Sequence, residues 1–126
     1  MILIFGGAYQ GKLAYAMDRF KATESDVYQC NGDDVNMPEN RKVIYEIDKW
    51  ILALVEKNID IENAMRQLIS ANHDKIVICN DISCGVVPLD PVLRKWREAV
   101  GRSLAMLTRI SDEVIRLFCG IPTRVK

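Results

Sequence analysis

Histidine is almost missing from this chain, with His73 the only one. That removes histidine-rich zinc sets and most histidine-based acid–base pairs. His73 itself lies in "ANHDK", where it reads as a solvated connector rather than a catalytic group. The four cysteines, Cys30, Cys79, Cys84 and Cys119, form no C-x-x-C pair, so they read as reduced, mostly buried thiols and not as a disulfide framework. An excess of either charge is also absent. Lysine plus arginine number 17 and aspartate plus glutamate 17. A balance of zero argues against a general nucleic-acid or anionic-membrane surface, which needs a basic excess. No apolar run approaches the ~20 residues of a membrane span. "MILIF" is too short for a signal sequence and has no basic lead-in, so the expected location is cytoplasmic.

What is present is ordinary for a globular chain: 126 residues, 49% hydrophobic and 27% charged, read as one domain over residues 1–126. Short apolar runs alternate with helical patterns. Met1–Phe5 is a buried strand that ends at a glycine pair. Leu13, Ala16, Met17 and Phe20 then follow the i, i+3, i+4, i+7 spacing of a helix face. "DVYQC" is a second strand, and residues 31–40 form a polar loop with Gly32 and Pro38. "KVIYEI" reads as a third strand, with Asp48 capping a helix from Lys49 to about Lys57. That helix is apolar nearly all round, so it is expected to be buried or to lie at a subunit contact. Asp60 caps an amphipathic helix, "KIVIC" is a strand, and Asp90-Pro91 starts a long helix reaching about Ile110. Gly101 inside that helix implies close packing there. "EVIRLFC", "GIP" and "TRVK" read as strand, turn and strand. This alternation predicts an α/β fold: a P-loop-type three-layer α/β/α domain with a mostly parallel sheet.

The chemistry concentrates in "GGAYQGKL", residues 6–13. It matches G-x-x-x-x-G-K-[ST] except at the last position, where Leu13 replaces the hydroxyl that ligates Mg²⁺ on a bound nucleotide. Standing between a strand and a helix, Gly6, Gly7, Ala8, Tyr9, Gln10 and Gly11 present successive backbone N–H groups to an anion, and Lys12 adds a positive charge for the β/γ-phosphates. The predicted ligand is ATP or GTP. Mg²⁺ keeps several waters and needs few protein ligands, so Asp48 and Asp81 are the candidate carboxylates behind its water shell. Asp81 and Lys12 are the candidate catalytic pair. Loop, Asp48 and Asn80-Asp81 all fall at strand carboxyl ends, where ligands bind in parallel sheets. Arg94, Arg97 and Arg102 are further candidates to reach phosphate, or a solvated helix face.

The second half of the chain resembles a known family. "NDISCGVVP" (80–88), "WREAVGR" (96–102), "SDEV" (111–114) and "GIPTRVK" (120–126) are similar to segments of the adenosylcobinamide kinase/adenosylcobinamide-phosphate guanylyltransferases of cobalamin biosynthesis. "YEIDKWILAL" and the opening glycine loop match further segments of that family. The resemblance implies a nucleotide and a corrinoid as substrates, a homo-oligomer, with a trimer as the form it suggests, and phosphorylation of adenosylcobinamide. It also marks departures. Tyr9-Gln10 stands where the family has Arg-Ser, and Leu13 where it has Ser or Thr. The family's histidine-and-arginine segment, whose histidine becomes guanylylated, has only the loop of residues 31–41 in its place. The resemblance thus implies the kinase step and not guanylyl transfer by that route. The alternative is a non-catalytic nucleotide- or corrinoid-binding relative acting as a regulator or assembly partner.

Overall fold

The computed structural model describes residues 1–82 and 87–126. The thiol of Cys84 and the centre of the 80–88 segment lie outside the described residues. Among the described residues, six strands form one sheet: β1 (Ile2–Gly6), β2 (Val27–Gln29), β3 (Val43–Tyr45), β4 (Ile76–Asn80), β5 (Glu113–Phe118) and β6 (Ile121–Arg124). Their order is β2-β3-β4-β1-β5-β6. Every pairing is parallel except that of β5 with β6, an antiparallel hairpin turned at Cys119-Gly120. The helices are α1 (Lys12–Phe20), α2 (Ile47–Glu56), α3 (Ile61–Ala71) and α4 (Pro91–Ile110).

Period-two alternation along the strands builds two cores, one on each face of the sheet. Leu3, Ile44, Val77, Cys79 and Val114 face α2, α3 and α4. Ile4, Val43, Ile76, Ile78, Ile115 and Leu117 face α1 through Ala16. The result is a three-layer α/β fold with helices on both faces, as the alternation predicts. Among the described residues, no helix is long and apolar enough to cross a membrane.

Two caps are as expected. Asp60 accepts from the Asn63 N–H at 3.2 Å, and Asp90 accepts from Val92 and Leu93 at 2.8 and 3.3 Å, with Pro91 following. Two expectations need correction. The third strand stops at Tyr45, and Glu46 takes a left-handed conformation (φ 59°, ψ 50°) that starts α2 two residues early. Asp48 is therefore not a cap but lies inside the first turn. Helix α2 is buried, the first of the two outcomes expected of it: Ile47, Trp50, Ile51, Ala53 and Leu54 pack within the chain. Burial of a side chain the size of Ile51 or Leu54 contributes roughly 1.5–3 kcal/mol, so this face is consumed by the fold. Finally, among the described residues nothing lies within 4 Å of a side chain placed at Gly101, so close packing among them does not account for that glycine.

The loop between β2 and β3 is short but organised. Asn31 Oδ1 accepts from the N–H groups of Asp33 and Asp34, both at 2.9 Å, and Asp34 Oδ1 accepts from Asn36 at 2.9 Å. Trp50 Nε1 donates to the Val35 carbonyl at 3.3 Å and ties the loop to α2. These Asx turns satisfy backbone locally without secondary structure.

Candidate functional site

β1 sits inside the sheet, with β4 and β5 as neighbours, and the glycine loop leaves from its carboxyl end. Gly6 is locked there by its neighbour strand. Any side chain at Gly6 would run into the backbone carbonyl of Leu117. Further along, Tyr9 (φ 59°) and Gly11 (φ 82°) are left-handed, and Gly11 occupies the cap position of α1 with no side chain bonded to the first-turn N–H groups. Such turns aim backbone N–H groups into one concavity, and the uncapped helix end adds its partial positive charge. Gln10 fixes the outer limb of the loop: its side-chain oxygen accepts from the Cys119 N–H at the β5–β6 turn.

Lys12 is only 4% exposed, and its Nζ donates to the Gly7 carbonyl at 2.5 Å across the loop. Burial lowers its pKa below the ordinary lysine value, opposed by the nearby carboxylates of Asp48 and Glu46. A buried cation folded under a glycine loop is suited to an anion that replaces its missing water.

Asp48 is 1% exposed. Its Oδ1 accepts from the Asn80 N–H at 3.0 Å and its Oδ2 from Asn80 Nδ2 at 3.3 Å, while Trp96 Nε1 donates to its backbone carbonyl at 2.7 Å. Desolvation raises its pKa above the usual carboxylate value, and the two Asn80 bonds partly restore it. The sign is opposite to that of an ordinary ion-paired aspartate. The cost is fully present above the raised folded pKa and disappears as pH falls below the unfolded value. Asp48→Ala is expected to lower stability by about 1–3 kcal/mol, because the Asn80 N–H loses its acceptor. Asp48→Asn keeps that acceptor and removes the charge, so its melting temperature should match or exceed wild type at pH 7 and vary less with pH. Melting curves of both variants from pH 4 to pH 8 check this.

Ala8, Tyr9, Gln10, Gly11, Lys12 and Leu13 line a crevice of about 430 Å³ with Tyr45, Glu46, Lys49 and Asn80 opposite. Gly6 and Gly7 form the base of the loop behind it. Asp81 is joined to the loop through its N–H, which donates to the Gly6 carbonyl at 2.8 Å. Loop, Asp48, Asn80 and Asp81 are thus brought together. Arg102 instead pairs with Glu98 on α4, and Arg94 and Arg97 line a separate shallow groove with Val87. His73 is exposed, away from the crevice, and its carbonyl accepts from the N-terminal amine. Tyr45, Glu46 and Lys49 are crevice residues that sequence reasoning missed. Reading "KVIYEI" as one strand hid the fact that Glu46 is the residue at the strand's carboxyl end.

Leu13 packs against the core on the α1 face, so it offers the crevice no oxygen. Among the described residues, no group of three His, Cys, Asp or Glu side chains gathers into a metal set. The residues fit an ion carried on nucleotide phosphates and its own water shell, with carboxylates behind, and not one chelated by the protein.

A mostly parallel sheet covered on both faces, with a glycine loop and a buried lysine at its carboxyl edge, defines the class: an α/β protein whose candidate site lies at that edge. The family model for cobinamide kinase / cobinamide phosphate guanyltransferase matches residues 33–125, about three quarters of the chain, and the protein belongs to that family of cobalamin biosynthesis. The match begins after the glycine loop, which therefore stands on its own residues and geometry. No curated protein matches the chain.

Proposed function

We propose that the chain binds the triphosphate of ATP or GTP in the Gly6–Leu13 loop and transfers the γ-phosphate to the side-chain hydroxyl of adenosylcobinamide. The observation that carries this reading is the buried Lys12 under a loop whose first glycine admits no side chain. Lys12 and the loop N–H groups hold and neutralise the phosphates, so catalysis is positioning plus charge stabilisation. Bound Mg²⁺ would add further neutralisation of the phosphate oxygens, with Asp48 and Asp81 holding its waters. Guanylyl transfer is not part of the proposal, because an organised loop stands where the family's reactive histidine would be and His73 lies elsewhere.

Leu13 favours a second reading, a relative that binds nucleotide or corrinoid without turnover. A thermal-shift series separates the two, since a ligand that prefers the folded state raises the melting temperature. Under the kinase reading, ATP or GTP raises it, and incubation with Mg²⁺ and adenosylcobinamide yields phosphorylated corrinoid. Stabilisation without product supports the second reading, and no stabilisation by either nucleotide contradicts the first. Leu13→Thr is expected to lower stability by about 1 kcal/mol through lost packing, and to raise nucleotide affinity several-fold only when Mg²⁺ is present. Calorimetric titration with and without Mg²⁺ checks the direction.

A further inference from the structure

The crevice beside the loop has one feature that the phosphate-binding reading leaves unused. Among the described lining residues, Glu46 is the only carboxylate. Asp48 lies behind it with both oxygens engaged by Asn80. Glu46 is placed differently. It stands in the left-handed conformation at the junction of β3 and α2, and lines the same crevice as Lys12 and Leu13. Its Oε2 accepts from Gln29 Nε2 at 3.2 Å, and among the described residues nothing donates to Oε1. One oxygen is steered and the other is open. Left-handed backbone costs a residue with a Cβ roughly 1–2 kcal/mol, so the rest of the structure holds Glu46 where its own preferences would not.

We propose that Glu46 receives the proton of the acceptor hydroxyl, and that the Glu46 side of the crevice seats the acceptor's hydroxyl arm while its loop side holds the triphosphate; this rests on the phosphotransfer reading above. The hydroxyl oxygen attacks the γ-phosphorus as the bond from that phosphorus to the β–γ bridging oxygen breaks. Nucleoside diphosphate leaves with its new charge beside Lys12, and the hydroxyl proton passes to Oε1 of Glu46. A crevice of about 430 Å³ has the volume of a small-ligand site. With the triphosphate against the loop, the space that is left takes the hydroxyl-bearing arm of a macrocyclic acceptor and not its ring, beside Tyr45, Glu46 and Lys49 of the lining. Gln29 is a positioning residue, acting through the carboxylate it steers.

The test compares Glu46→Gln, Glu46→Ala and Gln29→Ala with the unaltered protein. Glu46→Gln should lower kcat for adenosylcobinamide phosphorylation by about 100-fold, within the range for loss of a general base. Calorimetric affinity for ATP or GTP should stay within about twofold of the unaltered protein, since the phosphate contacts are intact. Gln29→Ala should lose less in kcat, with the same unchanged nucleotide affinity. Equilibrium dialysis of adenosylcobinamide, followed by its visible absorbance, should show weaker binding to Glu46→Ala. If Glu46→Gln turns over as fast as the unaltered protein, Glu46 is not the proton acceptor and the kinase reading survives. If the unaltered protein makes no product, the kinase reading fails, and the dialysis decides the crevice assignment: equal corrinoid affinity in Glu46→Ala overturns it.

Discussion

Lys12→Met should weaken ATP or GTP binding by up to about 100-fold, while the ligand-free protein becomes no less stable. The two halves have one cause. In the free protein the ammonium is buried beneath the loop and donates to the Gly7 carbonyl. Burial lowers its pKa, which means that folding disfavours the charge it carries. That cost is fully present below the lowered pKa and fades as pH rises toward the unfolded value, so the wild type should gain stability on alkaline titration and Lys12→Met should not. When triphosphate is bound, the same ammonium donates charge-assisted bonds worth about 1.5–3 kcal/mol. Loss of the upper part of that range corresponds to about two decades in affinity. Titration calorimetry and melting curves at pH 7 and above measure both effects on one variant. A mutant that loses stability and keeps affinity would mean that Lys12 is a structural lysine.

Gly6→Ala should have the largest effect on the fold itself, a loss of about 3 kcal/mol or more. The added methyl meets the backbone carbonyl of Leu117, which belongs to β5 and has no rotamer through which to yield. Relief requires β1 and β5 to part at their carboxyl ends. That would also shift the Gly6 carbonyl away from the Asp81 N–H and the Gln10 side chain away from Cys119. Gly11→Ala is the informative comparison, because a side chain there meets nothing within 4 Å among the described residues. Its penalty is only the left-handed backbone (φ 82°), about 1–2 kcal/mol. Urea denaturation should therefore rank Gly6→Ala well below Gly11→Ala, and equal losses would show that the Leu117 contact is not what constrains the loop.

Much of this molecule is legible in one sequence because its signals are local. The glycine loop, the Asp60 and Asp90 caps and the alternation of strands with helices depend on residues within a few positions of one another. Resemblance of the second half to the family adds what locality cannot. The errors come where the sequence pattern is two-sided. In "YEIDKW", β-rich residues run directly into helix residues, and only the left-handed turn at Glu46 decides the boundary. Moving that boundary turns Asp48 from an exposed cap into a buried acceptor for Asn80, a residue 32 positions away. It also turns Glu46 from a strand residue into a wall of the crevice. The burial of α2 against α4 is likewise a tertiary fact, since an all-round apolar helix is equally consistent with a subunit contact.

The most direct measurement follows the label of γ-³²P-ATP or γ-³²P-GTP in the presence of Mg²⁺ and adenosylcobinamide, with Lys12→Met as control. The expected result is label on the corrinoid with the unaltered protein and none with the mutant. Label that stays on nucleotide or appears only as free phosphate, at protein concentrations where nucleotide binding is saturated, would contradict the assignment of this chain as a cobinamide kinase.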